Sequence, residues 1–130
     1  LDAATYADRM FASDATSKMP ETPVLIEINS GREESKGGIM PEDAEAFARL
    51  VEGYEGIKLC GFMTMAPKGC TKQEYLRYFG EFHSLAVDIW TEKLGKAGSP
   101  IISMGMSDSF EEAIACGSDI VRIGRRLFIK

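Results

Sequence analysis

The sequence predicts an α/β fold built on a parallel sheet, and three observations lead there. Short apolar, β-branched runs recur along the chain, each bounded by glycine, proline or serine. Between them lie stretches whose apolar residues return at three- and four-residue steps, long enough to carry the chain back to the start of a parallel neighbour. Four such strands fit in the 130 residues. A complete eight-unit (β/α) barrel takes about 250 residues, so a barrel gives this chain about half of one. A doubly wound sheet is the other arrangement that the alternation permits.

In chain order, residues 5–11 read as a short helix and residues 13–20 as a polar connection. Val24-Leu25-Ile26-Glu27-Ile28 is a buried strand running into Asn29-Ser30-Gly31 and a charged loop over residues 31–38. Pro41 suits a first helical position, and Glu42 and Asp43 complement the helix dipole there. Ala44, Phe47, Ala48 and Val51 continue at helical spacing to a stop at Gly53. The second strand covers residues 57–64. Thr71 and Glu74 form a capping box for a long helix carrying Tyr75, Tyr78, Phe79, Phe82, Ala86, Ile89 and Trp90 on its core face, with Gly95 ending it. Residues 100–104 form the third strand, Ser107 or Asp108 caps a helix running through Cys116, and Gly117 terminates it. The last strand covers residues 119–123.

Composition narrows the function. Fifteen basic residues against twenty acidic ones leave a net charge of −5 and a pI near 4.9. That sign repels phosphate polymers and anionic surfaces, so no nucleic-acid or membrane partner is expected. No apolar run approaches the roughly 20 residues needed to span a bilayer. The start of the chain has no basic segment followed by an apolar one, so a secretory signal is not expected. Cys60, Cys70 and Cys116 are odd in number and widely spaced, which suits a reducing cytoplasm better than a disulfide framework. With a single histidine, His83, they offer no metal-ligand pattern.

In parallel α/β folds the ligand sits at the carboxyl ends of the strands. Those ends are Asn29-Ser30-Gly31, Met63-Thr64-Met65, Ser103-Met104-Gly105-Met106-Ser107 and Arg122-Ile123-Gly124-Arg125. Ser103 and Ser107 bring hydroxyls, Gly105 and Gly124 permit close approach, and the helix near Ser107 points N–H groups at the rim. Together they suit an anion cradle, although a cap and a turn use the same residues. Arg122 interrupts the apolar run Ile120-Val121-Arg122-Ile123 and must find an acceptor. Two are open to it: a structural ion pair with Glu27, or a ligand at the rim. Met63, Met65, Met104 and Met106 form a polarizable wall for a flat ring, or fill the core. Lys36 reads as a solvated loop lysine, His83 as a boundary residue and Cys70, near a helix start, as somewhat reactive.

Four motifs occur here in the order found in a known family: Asn-Ser-Gly-Arg-Glu-Glu-Ser-Lys-Gly-Gly over residues 29–38, Gly61-Phe62-Met63-Thr64-Met65-Ala66-Pro67, Ser103-Met104-Gly105-Met106-Ser107-Asp108, and Val121-Arg122-Ile123-Gly124. In them the chain resembles the pyridoxal phosphate homeostasis proteins of the YggS/PROSC type, single-domain relatives of the alanine racemase N-terminal barrel. The resemblance implies an alanine-racemase-like parallel (β/α) barrel of which this chain supplies roughly the last four strands, residues 1–130 forming the C-terminal portion of one domain.

It also implies a cytoplasmic protein that binds pyridoxal 5′-phosphate and regulates the free cofactor without robust catalysis. Ser103 then matches a phosphate ligand, with Ser107 beside it. Gly124 and Arg125 match the loop whose N–H groups hold the phosphate, and Arg122 the arginine facing the pyridine nitrogen. Met63 belongs to the wall, and no residue here matches a catalytic one. The family's Schiff-base lysine lies on the first barrel strand, and nothing here matches it; Lys36 belongs to a later motif. Arg125 stands where the family commonly has a small hydroxyl residue.

Two other functions stay open, a racemase-like enzyme and a small α/β domain for an unrelated phosphorylated ligand. A half-barrel leaves two edge strands and an apolar face uncovered, so self-association or association with the missing N-terminal half is expected.

Overall fold

A computed structural model describes residues 21–34 and 36–123. The helix expected at residues 5–11 lies outside the described residues. The strands are β1 (Thr22–Ile28), β2 (Ile57–Thr64), β3 (Ile101–Met106) and β4 (Ile120–Arg122), and the helices α1 (Ala44–Glu52), α2 (Lys72–Asp88) and α3 (Phe110–Ala115). All neighbouring strands pair in parallel, in the order β1-β2-β3-β4. That order decides between the two arrangements. Right-handed crossovers that always step in one direction place every helix on the same face, so the sheet is an arc of a barrel and not a doubly wound sheet.

Local chemistry sets the helix ends. Pro41 opens a 3-10 turn, Pro41–Asp43, that leads into α1, and Gly53 closes α1 with its N–H on Leu50 O and Val51 O. The capping box of α2 is complete: Thr71 Oγ1 accepts from Glu74 N at 3.1 Å, and Thr71 N–H donates to Glu74 Oε1 at 2.9 Å. Beyond α2 the chain widens into a π turn, Ile89–Lys93, before Gly95 turns it at φ 64°.

The core lies between the sheet and its helices. Ile26 and Ile28 of β1, Leu59 and Phe62 of β2, and Ile102 and Met104 of β3 meet Val51, Phe79, Phe82 and Ile89 there, all buried. Truncating an aromatic so enclosed costs about 3–5 kcal/mol. The opposite face carries Glu27, Met63, Ser103 and Ile120, which share one register row across the sheet. This face is the inside of the barrel arc. A bulge on β2 at Cys60 breaks the β1 register between Val24 and Leu25. It delivers Gly61 against β3, where a Cβ would stand 1.9 Å from Ile101 O. No side chain fits that position.

The β3–β4 pairing is short and is completed by side chains. Asp119 Oδ2 accepts from Ile102 N at 2.8 Å, while Ser118 Oγ lies 2.8 Å from Met104 O. These bonds set the height at which β4, and with it Arg122, meets the rest of the sheet.

Candidate functional site

The carboxyl ends of the strands are locked to one another before any ligand is considered. After β1, the buried Asn29 closes its loop by donating from Nδ2 to Glu33 O at 2.7 Å and accepting from Glu33 N at 3.1 Å. Gly31 abuts Pro67 of the next loop so closely that a Cβ would lie 2.6 Å from the ring. Thr64 Oγ1 donates to Ile28 O at 2.6 Å and lies 2.8 Å from Ser30 Oγ.

The end of β3 departs from expectation. The strand runs two residues further, to Met106, and the residue before α3 is Ser109, neither Ser107 nor Asp108. Ser109 Oγ turns back to accept from Met106 N at 3.1 Å, which serves the strand end and not the helix. Gly105, at φ 101°, has its open side against Ala113, Phe110 and Val121. The close approach it allows is therefore that of helix α3.

Between these ends lies a cleft of about 320 Å³ lined by Met65, Ala66, Lys68, Tyr75, Gly105, Met106, Ser107, Asp108, Ser109 and Arg122. Arg122 reaches across β3 so that Nη2 donates to Thr64 O at 2.9 Å, while Nε is buried without a partner. Burial pushes the guanidinium pKa down, and the Glu27 carboxylate opposes that shift. The two do not form the ion pair that the sequence leaves open. Among the described residues the ion pairs are Arg32–Glu42, Arg49–Glu45 and Lys96–Glu52. Glu27 sits on β1, and the Arg122 guanidinium, reaching over from β4, stops at the Thr64 carbonyl on the neighbouring β2, so the carboxylate acts on it through space without an ion-pair contact.

Of the residues singled out from sequence, Ser107 and Arg122 thus meet in one cleft. Ser103 and Met63 are register partners on the same open face, Ser103 buried and Met63 half-buried. Gly124 and Arg125 lie outside the described residues. Met65 and Met106 are wall residues, whereas Met104 belongs to the core. Lys36 lines an adjoining pocket of about 90 Å³ with Glu27, Asn29 and Glu33. His83 sits against Gly117, away from the rim.

Cys70 is not activated. Its thiol donates to Pro67 O at 3.1 Å, and burial, with Glu74 nearby, pushes its pKa up. Three residues of the site are not singled out as site residues by the sequence. Tyr75 reads as one member of the core stripe, Lys68 as a loop lysine and Thr64 as an ordinary strand residue. A hydroxyl at the last position of a buried strand was the one available sign.

The cleft offers a cation at its floor with an unsatisfied donor, a hydroxyl and an ammonium at its rim, and apolar thioether walls. That set suits a small ligand with a flat ring, an acceptor atom and an anionic group.

The family model described as alanine racemase, N-terminal domain, matches residues 3–129. A pyridoxal phosphate homeostasis protein of Helicobacter pylori is 38% identical over 107 residues, which cover 80% of this chain and 44% of that protein. The protein of the same name from Haemophilus influenzae is 36% identical over 128 residues, covering 98% of this chain and 53% of that one. The structure of PipY from Synechococcus elongatus with PLP bound superposes with a TM-score of 0.78 at 22% identity, over 99% of this chain and 58% of that one. At that identity the likeness speaks for the fold. The chain spans about half the length of the curated relatives it matches.

Proposed function

Because this chain belongs to the family of the alanine racemase N-terminal domain, we propose that its strand-end cleft receives pyridoxal 5′-phosphate and that the protein serves intracellular homeostasis of that cofactor, not catalysis of its own. One observation carries the reading: Arg122 Nε is buried and unpartnered beneath a cleft that Ser107 also lines. An unsatisfied donor on a charged group costs more than a neutral one, and a pyridine nitrogen is an acceptor of the right size to relieve it.

In this reading Arg122 faces the ring nitrogen, Met65 and Met106 of the cleft wall flank the ring, and Met63 joins them from the inner face of the sheet. Ser107 and the deeper Ser103 serve the phosphomonoester, with the backbone at Gly124 and Arg125. When bound, the cofactor supplies an electron-accepting ring, and an arginine at its nitrogen keeps that nitrogen unprotonated, making it a poorer electron sink than one paired with a carboxylate. Support for homeostasis comes from the names of the curated relatives, and support for the ligand also from the PLP-bound PipY.

The chain is then the C-terminal portion of one barrel domain, residues 1–130, in a cytoplasmic protein. No helix among the described residues is long and apolar enough to cross a membrane. The net charge of −5 disfavours nucleic acid. Ile101, Met106 and Ile120 are exposed, and they favour self-association or pairing with a complementary half of the barrel.

Calorimetric titration of the 130-residue chain tests the reading. Saturable binding of pyridoxal 5′-phosphate is expected, weakened about tenfold or more by Arg122→Ala or by using pyridoxal, which lacks the phosphate. Absence of saturable binding, or binding indifferent to both changes, overturns it.

A further inference from the structure

Thr64, the last residue of β2, is fully buried, and its side chain and its carbonyl do different work. The hydroxyl proton goes to Ile28 O at 2.6 Å, so Ser30 Oγ, 2.8 Å away, is the donor of the second bond. These two bonds fix the Thr64 peptide to the end of β1 and to its loop. The carbonyl stands one residue beyond the last β2–β3 partner pair, Met63 and Ser103, and it accepts from Arg122 Nη2 at 2.9 Å. The guanidinium is therefore tethered at one nitrogen and carries its unpartnered donor on another, Nε.

We propose that Thr64 is a positioning residue for Arg122. Its hydroxyl holds the peptide whose carbonyl orients the guanidinium, which links the loop after β1 to the direction of Nε. An arginine side chain has many rotamers, and ordering it before a ligand arrives lowers the entropy lost on binding. A valine here keeps the shape and the β-branched packing but removes both hydroxyl bonds, leaving Ile28 O with only the Ser30 N–H at 3.1 Å. A serine keeps the hydroxyl. The inference takes its ligand from the proposed function, but the tether itself stands on geometry alone.

The experiment reads both on the 130-residue chain. ¹⁵N–¹H spectra of the ligand-free protein report the Arg122 Nε–H and the rotation of its guanidinium. Titration with pyridoxal 5′-phosphate reports binding, with and without Arg122→Ala. Restrained guanidinium signals are expected in wild type and in Thr64→Ser, and averaged ones in Thr64→Val. Affinity falls about tenfold in Thr64→Val and less than about threefold in Thr64→Ser, and the Thr64→Val effect vanishes in the Arg122→Ala background. Unchanged Arg122 signals in Thr64→Val, or an affinity loss that persists without Arg122, overturn the proposal. If no variant binds the cofactor while the Arg122 signals still respond to Thr64→Val, the proposed function fails and the positioning role stands. Should Thr64→Val not fold, Ser30→Ala removes one of the two bonds and makes the same comparison; Arg122 signals that do not respond to it overturn the proposal.

Discussion

Alanine substitutions at Gly61, Gly69 and Gly105 separate two costs of one added methyl group. Gly69, at φ 76°, has nothing within 4 Å of an added Cβ, so Gly69→Ala bears only the left-handed backbone cost, about 1–2 kcal/mol. Gly105, at φ 101°, bears that cost and a steric one, because its Cβ would lie 2.6 Å from Ala113 Cβ and 3.3 Å from Val121 Cγ1. Ala113 Cβ has no rotamer to move through and Phe110 Cα stands at 3.3 Å, so relief needs the short helix α3 to shift, and the two costs together reach about 3–5 kcal/mol. At Gly61 the obstacle is backbone: Ile101 O at 1.9 Å and Ile101 N at 2.5 Å. Ordinary contact needs β2 and β3 to part by more than about 1 Å, which breaks a ladder of three register pairs. Gly61→Ala should cost more than about 4 kcal/mol, out of a total stability of about 5–15. Urea unfolding followed by circular dichroism and by the fluorescence of Trp90, the single tryptophan, should rank the losses Gly69→Ala, Gly105→Ala, Gly61→Ala in increasing order. A Gly61→Ala protein within about 1 kcal/mol of wild type would refute the close-approach reasoning.

Three further outcomes are expected. Glu74 has its pKa lowered by the Thr71 backbone N–H and then the Thr71 hydroxyl, and Glu42 by its own backbone hydrogen bond and then Arg32. Both therefore favour the folded state above the usual carboxylate value of 4.5. That contribution is lost as pH falls through the lower folded values, so urea midpoints measured below pH 4.5 should fall less steeply in Glu74→Gln than in wild type. Arg122→Met removes a half-buried guanidinium that carries an unpartnered nitrogen, so thermal stability should hold or rise while cofactor binding is lost; a clear fall in melting temperature would make the arginine structural. Sedimentation of the wild-type chain should show association that Ile120→Lys, on the open face, reduces; a monodisperse wild-type monomer with a cooperative melt would contradict the exposed-face argument.

The parts of the fold that rest on near neighbours in the chain were readable from it. The Thr71–Glu74 box, Pro41 at a first turn and the apolar stripe of α2 each depend on spacings of three or four residues. Arg122 was readable because a charge inside an apolar run has to be accounted for, though its acceptor was not. The Glu27 alternative failed because the guanidinium stops at the Thr64 carbonyl on β2, one strand short of Glu27, and no local pattern carries that choice of partner. Thr64 was passed over because threonine is ordinary in a strand. Its role appears only when Ile28, Ser30 and Arg122, up to 58 residues away, converge on it. The serines after β3 misled for a related reason: Ser107, Asp108 and Ser109 are all good caps, and the length of β3 decides which of them meets the helix.

By itself, then, the sequence determined the parallel α/β class, the strand and helix order, the rim on which a site must lie and the residues whose polarity demanded a partner. These follow from periodicity and capping, which act over one or two turns of chain. The tertiary structure alone decided that the helices share one face, that Gly105 admits a helix, and that a carbonyl at the end of β2 holds Arg122 with one nitrogen unpartnered. Those depend on register and strand order, which are set by contacts between segments the chain brings together only on folding.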